Sequence, residues 1–282
     1  MTGLELAEVA RLVRDVAAAE IMPRFRRLLP GDVQAKTGPL DMVTVADEAA
    51  ETALGAGLRA RFPGCTIVGE EAASRDPAVM DAIGDAELCF VLDPIDGTAN
   101  FCAGLPLFGT IVAVLRRGET VGAVIHDPVG DDTAWALRGE GAWLEAPGGA
   151  RAQLSVAAPV PLAEMYGVAS WRFMPEPMKS AFCARLPAVA GASEYRCAAH
   201  QYRMAAAGHC HFMVFSRLLP WDHAAGVLLH AEAGGYSALL DGSAYSAPVH
   251  AGGLICAPDR ASWEALRDAL FGRETDQVPN LS

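Results

Sequence analysis

Asp93-Pro94-Ile95-Asp96-Gly97-Thr98 sets two carboxylates three residues apart at the end of an apolar run, Leu88 to Leu92. Glu70 and Glu71 close an earlier strand-like run, Cys65 to Val68, and Asp222 stands far downstream in Trp221-Asp222. Together these segments can converge several hard oxygen ligands on one point. Two carboxylates about 4 Å apart repel by roughly 4 kcal/mol at an effective dielectric of about 20, so an acidic cluster partly protonates unless cations neutralise it. Magnesium suits such a cluster, because it prefers oxygen donors and keeps several waters, and neither Cys nor His in the motif favours zinc. Pro94 bends the chain so that Asp96 can turn back toward Asp93. Gly97 lets backbone N–H groups approach a phosphate without a Cβ in the way.

Each of these residues also has an ordinary structural use. Asp93 and Asp96 can be turn formers around Pro94 and Gly97. Asp222 reads as the N-cap of an apolar helix, a use compatible with metal binding. Asp47 can be a first-turn acid stabilised by the helix dipole, worth about 0.3–1 kcal/mol. Lys36 is either a surface lysine or a screen for the acidic site. His209-Cys210-His211 could present two imidazoles to a soft metal, but two ligands without a third make a poor site.

The periodicity predicts helices over Leu4 to Leu29 and Thr44 to Arg61, paired with each other; Thr44 caps the second with Asp47 three residues on, and Pro63-Gly64 ends it. Strand-like runs follow at 65–69 and 88–92. The uncharged stretch Gly97 to Leu115 reads as a buried turn leading into a core strand. Thr110 to Leu115 and Val121 to His126 form a hairpin around Arg116-Arg117-Gly118-Glu119, and Thr133 to Leu137 with Ala142 to Leu144 form another. Ala146 to Pro161, rich in Pro, Gly and Ala, marks a boundary between an α+β subdomain over 1–147, carrying most of the candidate ligands, and an α/β subdomain over 148–282 that supplies Asp222 and a specificity wall. In the second part, strands at Met165 to Ala169, Phe212 to Phe215, Gly235 to Leu240 and Gly253 to Ala257 alternate with helices at Pro177 to Leu186, Ala198 to Gly208, Asp222 to Ala233 and Ser262 to Phe271.

With 282 residues, 52% of them hydrophobic, the chain can bury a large core. A net charge of −12 argues against a surface that coats nucleic acid, so no nucleic-acid partner is expected. Charges at Glu5, Glu8, Arg11, Arg14, Asp15 and Glu20 leave no apolar span for a membrane or a signal peptide. Seven cysteines, an odd number without a C-x-x-C pair, fit buried reduced thiols in a cytoplasmic protein.

The motifs carry a resemblance. Lys36, Asp41 and Val43-Thr44-Val45-Ala46-Asp47, then Gly69-Glu70-Glu71, then Asp93 to Thr98 with Asn100-Phe101, then Trp221-Asp222 with Ala225-Gly226 and Glu232-Ala233-Gly234-Gly235, resemble the inositol monophosphatase family of magnesium-dependent, lithium-sensitive phosphatases. The likeness spans roughly residues 36–257. It implies a layered αβαβα sandwich of two tightly packed subdomains, expected as a homodimer, with two or three Mg2+ ions at their interface. It implies that Glu70, Asp93 and the Ile95 carbonyl hold the first metal, that Asp93 bridges to a second held with Asp96 and Asp222, and that Glu71 stands behind them. Thr98 and Asp47 would activate the attacking water at the Glu70 metal, and Gly97 and Thr98 would cradle phosphate. The implied activity is hydrolysis of a small phosphorylated metabolite.

The substrate wall departs from the family pattern. Inositol-cleaving members carry a glutamate seven residues before the metal aspartate, where this chain has Phe215. The family's G-[ST]-A-A helix start becomes Arg196-Cys197-Ala198-Ala199, in which Arg196 is either a second anionic anchor or the partner of a structural acid. Sugar bisphosphates, histidinol phosphate and nucleotide phosphates are therefore open as substrates beside inositol phosphate. A non-catalytic regulatory role on the same fold is the reading from another class.

Overall fold

Apolar residues on both pleat faces of the central strands set the architecture, which a computed structural model describes for residues 1–38 and 41–272. A strand covered on both faces reads as an unbroken apolar run, because neither face meets water. The chain opens with α1 (Gly3–Val16), β1 (Val33–Gly38), β2 (Asp41–Thr44) and α2 (Val45–Arg61). There follow β3 (Thr66–Gly69), α3 (Glu70–Arg75), β4 (Cys89–Asp96), α4 (Thr98–Cys102), β5 (Gly109–Arg116), β6 (Glu119–Asp127), β7 (Asp132–Leu137), β8 (Ala142–Glu145) and β9 (Arg151–Gln153). The remainder is β10 (Tyr166–Ala169), α5 (Met178–Arg185), β11 (Gly191–Ser193), α6 (Ala198–Ala206), β12 (Phe212–Phe215), α7 (Pro220–Glu232), β13 (Tyr236–Leu239), β14 (Leu254–Ala257) and α8 (Arg260–Phe271).

Strands β3 to β9 form one seven-stranded sheet in sequence order. It is parallel between β3 and β4 and antiparallel from there on. A second, five-stranded sheet has the order β11-β10-β12-β14-β13, parallel across β11, β10 and β12. Period-2 alternation decides what each face meets. Phe90, Leu92, Val112 and Val114 pack on α1 and α2 through Leu6, Val9, Leu54 and Leu58. Val91, Ile111 and Ala113 face the other way, onto Tyr202 of α6 and Leu228 and Leu229 of α7. Those helices also cover Met213, Phe215 and Cys256 of the second sheet, whose outer face, Phe212, Val214 and Ile255, packs on Phe182, Leu266 and Leu270 of α5 and α8. The result is the expected αβαβα layering. Fully burying each such Leu, Val or Phe contributes about 1.5–3 kcal/mol.

Helices α1 and α2 pair as expected, so closely that a Cβ on Gly57 would lie 2.6 Å from Leu12 Cδ1. The first helix is shorter than its pattern predicts. It gives way after Val16 to a wider turn at Ala17–Ile21, and Pro23, which cannot donate to the ladder, precludes continuation. The hairpin β1–β2 occupies a stretch with no alternating apolar pattern to announce it. Within Gly97 to Leu115, the single turn α4 intervenes before the core strand. The first sheet continues past residue 147 to include β9. Most consequential, β4 does not stop at Leu92 but runs through Asp96. Its pairing with β5 jumps from Asp93–Ile111 to Asp96–Gly109 because Pro94 offers no ladder N–H.

All seven cysteines are unpaired thiols. Among the described residues, no helix is long and apolar enough to cross a membrane.

Candidate functional site

The alternation of β4 aims its carboxylates. Asp93 shares a face with Val91, so its side chain points to the α6/α7 layer, while Ile95 packs into the α1/α2 core. Beyond the irregularity at Pro94, Asp96 meets the start of α6: its Oδ2 accepts the Ala199 N–H and lies 3.2 Å from Cys197 Sγ. Asp222 arrives from α7. Leu219 is the N-cap there, and Asp222 lies in the first helical turn, so the cap expected at Asp222 is corrected: Pro220 supplies the first helical position. Oxygens of Asp93, Asp96 and Asp222 all lie within 4.8 Å of one another, and this is the one group of metal-competent geometry among the described residues. The pair His209 and His211 does not join it; His211 Nδ1 accepts the Tyr166 N–H.

Burial raises the pKa of all three carboxyls, Asp96 to about 6 and the other two well above the usual range, with the neighbouring carboxylates adding to the rise. Asp93 is 1% exposed, and its Oδ1 has no hydrogen-bond donor among the described residues. An unsatisfied carboxylate oxygen facing two other acids is costly in a dry interior. The three grouped ligand atoms are all carboxylate oxygens, so this trio fits a magnesium-like cation.

A second row of groups stands beside this cluster. Thr44 caps α2 reciprocally with Asp47, whose Oδ2 accepts from Thr44 N at 2.8 Å and from Thr44 Oγ1 at 2.5 Å. The other oxygen, Oδ1, lies 3.2 Å from Thr98 Oγ1, which is also 2.9 Å from the Ile95 carbonyl. Asp47 thus serves both as a helix-cap acid and as the partner of Thr98. Burial lifts its carboxyl to about 7 against the pull of the Thr44 hydrogen bonds, with the Glu70 charge adding to the rise. Lys36 is no free surface lysine: its Nζ donates to Glu70 Oε1 at 3.0 Å and Glu71 Oε1 at 2.7 Å. Burial opposes the lysine's charge, but the two glutamates outweigh it and raise its pKa. Burial likewise lifts Glu71 to about 7. The side chain of Asp41 lies outside the described residues.

Gly97 has φ +89°, and a Cβ there would lie 2.8 Å from the Leu107 carbonyl, so the turn into Thr98 requires glycine. Glu51, which the sequence did not single out, holds the start of α3 in place by accepting the Glu71 and Ala72 N–H groups. The same carboxylate lies where a Gly69 side chain would be.

Glu70, Asp93, Asp96, Gly97, Thr98, Asp222, Arg196, Ala198 and Phe215 line a single cleft. Phe215 is 5% exposed, stacked on Tyr202 at 5.3 Å and edge-on to His223 at 4.6 Å between ring centroids. His223 is buried, bonded to the Tyr202 hydroxyl and the Arg217 carbonyl. Arg196 donates to Asn100 Oδ1 at 2.7 Å. Sequence reasoning missed Arg172, Phe173, Glu194 and Arg217 on the outer wall. They stand one to four residues beyond the ends of β10, β11 and β12, in no recognisable motif.

The profile of the inositol monophosphatase family matches residues 4–272. The chain is 32% identical over 237 residues to the inositol-1-monophosphatase of Rhizobium meliloti (strain 1021), covering 83% of this chain and 84% of that protein. It is 30% identical over 230 residues to the Nus factor SuhB of Haemophilus influenzae, covering 80% and 81%. Among solved structures, the Thermotoga maritima IMPase superposes with a TM-score of 0.78 at 27% identity, covering 96% of this chain and 97% of that one.

Proposed function

The chain belongs to the inositol monophosphatase family, and on that premise we propose that it hydrolyses a small phosphate monoester with the help of magnesium ions. The observation that carries this reading is the buried Asp93, its Oδ1 without a donor among the described residues and its carboxylate within 4.8 Å of Asp96 and Asp222. Glu70, Asp93, Asp96, Asp222 and the Ile95 carbonyl would hold the ions. Bound there, they supply Lewis acidity toward water and phosphate and neutralise the carboxylates.

The remaining chemistry belongs to the chain. Thr98 Oγ1 positions a water and takes its proton as it passes its own to Asp47 Oδ1, 3.2 Å away. Burial raises the pKa of the Asp47 carboxyl, which strengthens it as the acceptor of that proton. The Gly97–Thr98 turn orients the phosphate through backbone N–H groups, with no Cβ at Gly97 to hold it off. Lys36 fixes Glu70 and Glu71 and limits their repulsion. Catalysis then rests on alignment and charge placement, as phosphoryl transfer requires. Phe215 offers a polyol no hydrogen bond, which favours a less hydroxylated leaving group than inositol.

A second reading, a regulatory binding role, draws on the 30% identity to a Nus factor. The buried trio Asp93, Asp96 and Asp222 favours catalysis. The test is phosphate release from a panel of inositol, sugar, histidinol and nucleotide phosphates, with magnesium and with excess chelator. Release that needs magnesium supports the proposal; no release from any ester, or release unchanged in chelator, counts against it.

A further inference from the structure

The outer wall of the cleft is as basic as its floor is acidic. Arg172 follows β10, Arg196 follows β11 and Arg217 follows β12, so the carboxyl ends of three parallel strands each deliver one arginine to the same opening. Arg196 is engaged by Asn100. The other two are not so engaged. The Arg172 and Arg217 guanidinium carbons lie 4.3 Å and 4.5 Å from the centroid of the Phe173 ring, and neither forms an ion pair among the described residues. Arg172 Nε and Nη1 are buried without a hydrogen-bond partner there. Phe173 itself is 46% exposed at the cleft mouth. An aromatic face attracts one guanidinium, but two around one ring repel each other, and unpaired buried donors are costly. An anion seated between them relieves both. Glu194 is the one carboxylate of this outer wall, and burial works against its charge while Arg172, Arg196 and Lys179 favour it.

We propose that Arg172 and Arg217 bind a second anionic group of the substrate, a phosphate or carboxylate distinct from the phosphate that is cleaved. Paired guanidiniums match the oxygen geometry of either group. The inference rests on the phosphatase reading for what happens at the acidic floor. It names the substrate class: a phosphate monoester with a second negative charge, placed so that one end reaches Asp93 and Thr98 while the other reaches the arginines.

The test is calorimetric binding of three ligands to full-length Asp47→Asn protein in magnesium: glucose 6-phosphate, glucose 1,6-bisphosphate and 6-phosphogluconate. At least one doubly anionic ligand is expected to bind about ten-fold or more tightly than glucose 6-phosphate. Which of the two does so identifies the second group as phosphate or carboxylate. In a further Arg172→Gln, Arg217→Gln variant that ratio should fall to near one, with Arg217→Lys between. A ratio near one with both arginines present, or a high ratio that survives their loss, overturns the proposal. If the wild type releases no phosphate from these three or from any ester of the wider panel while the preference holds, the phosphatase reading falls and the arginine site stands.

Discussion

Magnesium should stabilise this chain more at alkaline than at acid pH, because the carboxylates it would neutralise hold protons when it is absent. Burial lifts Asp96 from 3.8 to about 6, a rise equivalent to about 3 kcal/mol. Asp47 rises from 3.8 to about 7 for the same cause, about 4 kcal/mol. The folded chain therefore binds these protons more tightly than the unfolded chain does. Their stabilising effect is complete below about pH 4 and is lost as the pH rises through about 6 to 7. Once ionised, carboxylates 4.8 Å apart repel by about 3.5 kcal/mol per pair at an effective dielectric of about 20. A cation removes that repulsion at high pH but must displace protons at low pH. The assay is thermal melting with magnesium and with chelator across the range. Taking the difference at each pH cancels titrations elsewhere in the chain. The magnesium increment should be larger at about pH 8 than at about pH 5 by about 3 kcal/mol, or about 6–10 °C. An increment equal at both values, or larger in acid, would mean that the cation does not compete with protons for these carboxylates.

Thr98→Ala and Asp47→Asn should each lower kcat by about 100-fold at saturating magnesium, while isothermal titration shows magnesium affinity little changed; full rate restored by more magnesium would assign both residues to cation binding instead. Asp93→Asn should abolish phosphate release yet raise stability in chelator by about 1–3 kcal/mol, seen as a higher melting temperature, because one of three mutually repelling acids is gone; a lower melting temperature in chelator contradicts the cluster's electrostatics. Inositol 1-phosphate should be turned over about 10–100-fold less efficiently than the best ester, since each hydroxyl left unpaired at Phe215 costs about 1–3 kcal/mol; its ranking first would show that Phe215 does not set specificity. Gly226→Ala should lower stability by about 2–3 kcal/mol in a denaturant titration, as its Cβ would lie 2.1 Å from Tyr202 Cδ2.

The layers were legible because both faces of β4 and β5 are apolar and because Thr44 with Asp47 spells a helix start. The acidic cluster was legible because its members sit in short motifs whose order is recognisable. What local pattern could not show was distance. Nothing in the sequence near Asp96 reveals that its carboxylate meets the start of α6, over a hundred residues away, or that Lys36 bridges Glu70 and Glu71. The extent of β4 was misjudged because Asp, Pro and Asp read as loop by composition, whereas pairing with β5 on one side and the needs of the site hold them in the sheet. The outer arginines escaped because a lone arginine after a strand carries no motif. Only the parallel order of β11, β10 and β12 brings them to one opening.

The most direct test is a crystal of the wild-type chain grown with manganese and phosphate, examined by anomalous diffraction at the manganese edge. Anomalous peaks are expected to be enclosed by Asp93, Asp96 and Asp222, with phosphate between them and the Gly97–Thr98 turn. Manganese bound only elsewhere, with those three carboxylates free of metal, would contradict the proposed metal site.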